Sequence, residues 1–268
     1  MFSAYNLPIN SVSFGQVSTS VLRYLCDQKE NVSLFPIGNI DFSSQSNLPK
    51  DFPIWIQEAV NKAFFEHSRK TPIFKLWHLN GSLESVSDSQ TLYSFYELNS
   101  PTKAELNIVR NNHKVIFSSK YTVDIFRSLG CNNVFYVPLY FDKYNFKQIE
   151  KKYYSDDRIT FNLVGKLEKR KHHLKILKAW AKKFGNNQKY FLQCAIFNPF
   201  MKPEDQTRLI ASALDGKAYF NIQFLNYMPN NLMYNDYLNS GNIIIGMSGG
   251  EGWGLPEFHS VAMGKYGI

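Results

Sequence analysis

Two stretches of this chain carry residues whose types and spacing can do chemistry. The first is Ser248-Gly249-Gly250-Glu251-Gly252-Trp253-Gly254-Leu255-Pro256-Glu257-Phe258-His259. It follows an apolar run, Asn242 to Met247, that reads as a buried strand. It precedes Phe258, Val261, Ala262 and Met263, which fit one face of a short helix. In the order strand, glycine-rich loop, helix, backbone NH groups can come close to a ligand, Pro256 fits a first helical position, and the helix N-terminus favours an anion. Such a loop is either a phosphate cradle or turn punctuation. The second stretch is basic: Lys166, Lys169, Arg170, Lys171, Lys175, Lys178, Lys182 and Lys183, with Glu168 the only acid among them. It is either a solvated helix face, for which Leu174, Leu177, Ala181 and Phe184 supply the inward stripe, or a site for an anionic ligand.

The elements that must position these groups alternate along the chain. A strand over Phe2–Tyr5 precedes a helix from Gly15 with Val17, Val21, Leu22 and Leu25 inward and Arg23 toward water. Val32–Ile37 is a second strand. Ile56, Ala59, Val60, Ala63 and Phe64 form the apolar stripe of a helix over Pro53–His67. Strands over Ile73–Leu79 and Thr91–Tyr96, a helix opened by Pro101-Thr102, a strand over Lys114–Phe117, a helix from Ser118-Ser119 to Gly130, and a strand over Val134–Leu139 complete the first half. The polar segment 141–157 breaks the alternation. Strands over Ile159–Val164, Tyr190–Ile196, Ile222–Leu225 and Ile243–Met247, alternating with helices over Lys171–Phe184, Pro203–Leu214 and Asn231–Leu238, then lead to the loop at Glu251. Strands alternating with helices imply α/β domains with parallel sheets covered on both faces, and ligands of such folds bind beyond the carboxyl ends of the strands.

Composition agrees with this reading. The chain has 268 residues, 44% of them hydrophobic and 16% aromatic, enough to fill two cores. Its net charge is +8. No run of about eighteen apolar residues appears, and the first residues lack the basic and apolar regions of a signal peptide, so a soluble, cytoplasmic protein is expected. Cys26, Cys131 and Cys194 are far apart, which argues for reduced core thiols rather than disulfides or a zinc motif.

Several of these segments match one family in order. Glu251-Gly252-Trp253-Gly254-Leu255-Pro256, before a helix ending Ala262-Met263-Gly264, resembles the donor-site motif of the GT-B glycosyltransferases, specifically glycosyltransferase family 4. Asn162-Leu163-Val164-Gly165-Lys166-Leu167 followed by Lys171 is similar to that family's strand, Gly-Arg-Leu and Lys pattern. The Gly15 loop resembles its N-terminal glycine loop, and Val137-Pro138-Leu139-Tyr140-Phe141-Asp142 the end of its first domain. The resemblance implies two Rossmann-like doubly wound domains, over 1–142 and 158–268, joined by a linker at 143–157. It also expects further strands and helices after Tyr266-Gly267-Ile268, so the second domain reads as truncated at its C-terminus, with its last strand an open edge.

By the same resemblance the chain transfers a sugar from a nucleotide-sugar donor to an acceptor, with retention and without a metal or other cofactor. Lys166 and Lys171 match the basic pair that holds the donor diphosphate, where a cation stabilises the leaving group's growing charge. Glu251 matches the first glutamate of a Glu-x7-Glu pattern and lies beside the transferred sugar. Backbone NH groups near Gly252, Trp253, Gly254 and Leu255 are candidates for sugar and diphosphate contacts, with Gly15 approaching the diphosphate from the first domain. Trp253 is alternatively a packing residue. The chain departs from the pattern twice: His259 stands where the second glutamate holds the ribose, and Lys166 replaces an arginine. On the acceptor side, His78, Glu97 and Asn99 lie at strand ends, as reaction-centre groups or as structural residues. No Asp-x-Asp pair or His/Cys cluster has metal-ligand spacing. The rival reading is a non-catalytic module that binds nucleic acid or another polyanion through residues 166–183.

Overall fold

The structure is a computed structural model that describes residues 2–150 and 157–268. Residues 151–156 of the linker expected over 143–157 therefore lie outside the described residues. The chain divides into two compact units, Met1–Tyr144 and Asn145–Ile268. Both are α/β with a parallel sheet, the doubly wound Rossmann-like class expected from the alternating pattern.

In the first unit the elements run β1 (Ala4–Pro8), α1 (Ser13–Asp27), β2 (Ser33–Ile37), α2 (Phe52–Glu66), β3 (Ile73–Leu76), β4 (Gln90–Ser94), α3 (Lys103–Asn111), β5 (Lys114–Phe117), α4 (Lys120–Ser128) and β6 (Val134–Tyr136). All six strands are parallel, in the order β2-β1-β3-β4-β5-β6. Every residue of β4 is buried, as a central parallel strand covered on both faces requires. Helix α4 starts where the Ser119 hydroxyl accepts the Thr122 NH, and α3 starts with a reciprocal cap between Thr102 and Glu105. Leu92, Val109, Val115, Phe117, Val123, Phe126 and Val134 close the core between sheet and helices.

Two side-chain orientations differ from the sequence pattern. Phe64 was expected in the stripe of α2, yet it is 82% exposed, because Phe52, Ile56, Ala59 and Ala63 already fill the buried face. It instead meets Phe65 edge to face on the outside of the helix. Arg23 was expected in water and is buried. Its guanidinium lies 4.5 Å from the centroid of the Tyr144 ring and donates to Asn47 O. Burial lowers its pKa, while Asp142, Tyr144 and Asp27 oppose that shift. A cation–π contact and nearby carboxylates are what let a buried arginine stay on an inward helix face.

The second unit runs β7 (Ile159–Lys166), a 3-10 turn (Lys169–Lys171), α5 (His173–Phe184), β8 (Tyr190–Phe197), α6 (Pro203–Ala213), β9 (Ile222–Phe224), α7 (Asn231–Ser240), β10 (Ile243–Ile245), α8 (Leu255–Ala262) and β11 (Tyr266–Gly267). Its five parallel strands take the order β11-β10-β7-β8-β9. Leu177 and Trp180 of α5 pack on Phe161, Leu163, Leu192 and Cys194 of the sheet. Lys175, Lys178, Lys182 and Lys183 of α5 are exposed, opposite that stripe.

Helix α7 packs through amides more than through apolar side chains. Asn235 Oδ1 accepts from Lys147 N and Asn239 Oδ1 from Ile149 N, which ties the segment before residue 150 to this helix. Tyr237 is fully buried and donates its hydroxyl to Leu163 O, joining α7 to β7. These bonds satisfy polar groups that burial would otherwise penalise.

Candidate functional site

In an open parallel sheet the crevice forms where the connections leave two neighbouring strands in opposite directions. In the second unit those strands are β7 and β10. The loop after β7 holds Glu168, Lys169, Arg170 and Lys171, and the loop after β10 holds Met247 to Gly254. The fold thus brings the basic stretch and the glycine-rich stretch, far apart in sequence, to one edge.

The two loops are bonded along their length. Gly249 N donates to Arg170 O at 2.8 Å, His172 Nδ1 to Met247 O at 3.1 Å, and Ser248 Oγ to Arg170 O at 3.4 Å. Arg170 Nη1 donates to Gly250 O at 2.6 Å and to Glu251 Oε1 at 3.2 Å. Lys171 Nζ donates to the same Oε1 in an ion pair. Lys171 is only 10% exposed and Glu251 25%, so the pair is largely out of water and its charges are weakly screened.

Lys166 is held differently. At the end of β7 it pairs with Glu168 at 2.9 Å, and its ammonium sits 5.3 Å over the Phe200 ring. Glu168 also pairs with Arg170 at 3.4 Å. Of the two expected cations, Lys171 meets Glu251, whereas Lys166 reaches it only through Glu168 and Arg170. Arg170 was named in the sequence only as one member of the basic stretch; its position beside Lys171 in one short loop between strand and helix is the signal that could have given it a role of its own.

Helix α8 rises from the glycine loop with Gly254 at φ +76°, a left-handed conformation that favours glycine, and with Pro256 in its first turn. Leu255 begins the helix. Gly252 is buried beneath the loop. Trp253 packs edge to face on Phe258, 5.2 Å between centroids, which fits its alternative reading as a packing residue.

Two further titratable groups sit close by. Glu257 lies against Gly246 and Gly254 and takes its own backbone NH. Burial raises its pKa and the Lys171 charge works against that rise. His173 is buried behind Lys171, its Nε2 donating to Val164 O at 3.3 Å. Burial holds its imidazole down to about 4, against the pull of that hydrogen bond.

His259 sits in the second turn of α8, buried, its ring stacked on Phe146 at 3.9 Å between centroids. Burial holds it down to about 4 as well, so it is neutral near pH 7. One face of its ring is covered by Phe146, and Glu257, in the first turn of α8, feels the charges of Lys171 and Glu251.

In the first unit the corresponding crevice lies between β1 and β3. Gly15 is in the first turn of α1, beyond β1; a Cβ there would come within 2.6 Å of Asn10 N, so the loop after β1 can lie against the helix only because the residue is glycine. His78, just past β3, lies against Phe14 with 4.3 Å between ring centroids and the planes tilted by 44°. Burial of that face lowers its pKa, and the nearby Glu97 carboxylate opposes the shift. Gly15, His78 and Glu97 thus gather at the carboxyl edge of this sheet, with Asn99 exposed two residues beyond Glu97. Among the described residues no helix is long and apolar enough to cross a membrane.

No known family model and no curated protein matches the chain. Solved structures do. Sucrose-phosphate synthase from Thermosynechococcus elongatus superposes with a TM-score of 0.70 at 12% identity, over 99% of this chain and 80% of that one. The apo structure of OtsA gives 0.67 at 11%, over 97% and 81%. HepE of Anabaena, in complex with UDP and glucose, gives 0.67 at 12%, over 99% and 80%. At these identities the likeness is one of fold: the chain has the GT-B architecture of two Rossmann-like domains.

Proposed function

We propose that the chain is a glycosyltransferase of family 4 type that moves a sugar from a nucleotide-sugar donor to an acceptor hydroxyl. The observation that carries this reading is the convergence of Arg170 and Lys171 on Glu251 at the carboxyl edge between β7 and β10. An anion seated beside that edge meets two cations, while the sugar attached to it meets a carboxylate able to accept hydrogen bonds from its hydroxyls.

In the reaction the bond between the anomeric carbon and the diphosphate oxygen breaks, and the electron pair leaves with the diphosphate. A bond forms from the acceptor oxygen to that carbon, and the acceptor loses its proton. Lys171 and Arg170 stabilise the charge that grows on the leaving group, which is the largest electrostatic demand of such a step. Glu251 orients the sugar and is not a nucleophile. Retention, and independence of a metal, belong to this proposal through the family resemblance, as do a cytoplasmic location and the acceptor-side roles of His78 and Glu97.

The exposed lysines of α5 lie opposite a packed stripe, as on a solvated helix face, and of the loop cations Arg170 and Lys171 are engaged with Glu251 and Lys166 with Glu168, which leaves the polyanion reading without a convergent site. A thermal-shift screen against nucleotide sugars tests the proposal, because a ligand that binds only the folded chain raises its apparent stability. UDP-glucose or another nucleotide sugar is expected to raise Tm by several degrees. A flat response across the panel, together with a Tm shift by heparin that salt abolishes, would favour the polyanion module.

A further inference from the structure

Glu257 is a carboxylate at the end of a helix that the loop order prepares for an anion. Before the first helical hydrogen bond of α8, from Phe258 N to Gly254 O at 2.9 Å, the backbone N–H groups belong to Gly254, Leu255 and Glu257, because Pro256 has none. Glu257 turns its side chain back and takes its own N–H. The chain makes room for that turn. A Cβ on Gly246 would stand 2.3 Å from Glu257 Cγ and 2.7 Å from its Oε1, and one on Gly254 would stand 3.1 Å from its Oε2. Glycine at both ends therefore lets the carboxyl lie across the base of the loop between β10 and α8.

Folding alone does not account for this carboxyl. Its Oε2 is buried and accepts no hydrogen bond among the described residues, and a buried acceptor left unpaired costs stability. The groups that face it are Lys171 from the loop after β7, Glu251 from the glycine loop and the Tyr234 phenol from α7. Lys171 and Arg170 already meet Glu251, and Lys166 pairs with Glu168. With Glu257 added, the charges that converge on this edge balance. Glu257 also lies outside the Glu-x7-Glu positions, 251 and 259, that the resemblance supplies.

Resting on the donor reading above, we propose that Glu257 is a built-in competitor of the donor diphosphate: its carboxylate holds the N-terminal mouth of α8 and is displaced when the donor seats there. A bare diphosphate meets a like charge at that mouth, which weakens its hold. A complete donor offsets the repulsion with the hydroxyls that its sugar offers to Glu251. The same repulsion acts on the diphosphate product once the sugar has left, and favours its release. Glu257 thus sets the preference for a complete donor over its diphosphate fragment.

Calorimetric titration with inorganic pyrophosphate and with UDP, for the intact chain and for Glu257→Gln, tests this. The amide keeps the volume and removes the charge, so both probes are expected to bind the variant about tenfold more tightly or better. Glu257→Ala, which empties the space over Gly246, should show the same gain, and the Tm of each variant without added probe reports its fold. The advantage of Glu257→Gln should shrink as pH is lowered from about 8 to about 5, because burial raises the Glu257 pKa and protonation then removes the same charge from the unaltered chain. Titration of the probe itself is common to both chains and cancels in the ratio. Binding by the variants alone also supports the competitor. Affinities in both variants no tighter than in the unaltered chain overturn it and leave the diphosphate site standing, as does an advantage that pH does not change, which would trace to shape and not to charge. Absence of binding by all the chains defeats the donor reading and the competitor together.

Discussion

Lys171 and Glu251 are 80 residues apart in sequence and form an ion pair at the carboxyl edge of the second sheet, with the lysine 10% exposed. The cation that the resemblance assigns to a diphosphate is thus partnered by the carboxylate it assigns to a sugar. Breaking such a partly buried pair by removing one partner leaves the other uncompensated, so the two residues must be read as a unit. On the proposed donor reading, an anion at Lys171 would compete with Glu251 for the same ammonium and free the carboxylate to accept from hydroxyls.

Arg170 is expected to set the position of that carboxylate. Its side chain bonds Gly250 O and Glu251, while its backbone carbonyl, which no substitution removes, accepts Gly249 N. In Arg170→Ala, amide hydrogen exchange should quicken in a peptide spanning 248–254 and stay unchanged in β7 and β8. Arg170→Lys, which keeps the charge and loses the fork, should fall between the two. Unaltered exchange in Arg170→Ala would show that the backbone bonds alone hold the loop.

Stability is expected to fall in mild acid because of two buried histidines. His173 and His259 are both held down to about 4, against an ordinary value of 6.5. Between those values the unfolded chain binds protons that the folded chain does not, so the stabilisation is complete above about pH 6.5 and is lost as pH falls toward 4. Each contributes on the order of 3 kcal/mol across the window, since one pKa unit is about 1.4 kcal/mol. Tm measured from pH 7.5 to 4.5 should drop, and His259→Phe, which keeps a ring against Phe146, should flatten the fall. An identical slope in that variant would remove His259 from the account.

Gly15→Ala tests the packing of the first unit's crevice. The added Cβ would come within 2.6 Å of Asn10 N, and backbone cannot yield as a flexible side chain can. A loss of about 1–3 kcal/mol in denaturant unfolding is expected. A loss under about 0.5 kcal/mol would mean that the loop after β1 moves freely.

Much of the fold was legible because parallel strands and their covering helices leave strong periodic signals, as in Ile243 to Ile245 or the stripe Leu174, Leu177 and Ala181. Helix α7 shows the limit: its buried face includes Asn231, Asn235 and Asn239, which an apolar stripe does not reveal. Arg23 and Phe64 show another, since which face of a helix is inward near its ends depends on neighbours far along the chain. At the candidate site, Lys171 and Glu251 were recognisable from their motifs. Their direct contact, the bridging by Arg170 and the nearness of Glu257 were not, because a sequence holds no distance between two loops that only the sheet brings together.

The most direct test of the central claim is titration of UDP-glucose, with UDP release followed in the same samples, for the unaltered chain, Lys171→Ala and Glu251→Ala. The account predicts at least tenfold weaker binding in Lys171→Ala, a difference of about 1.4 kcal/mol or more. In Glu251→Ala it predicts retained UDP binding with turnover reduced a hundredfold or more and a smaller effect on Tm. Binding and turnover unchanged in both variants would contradict it.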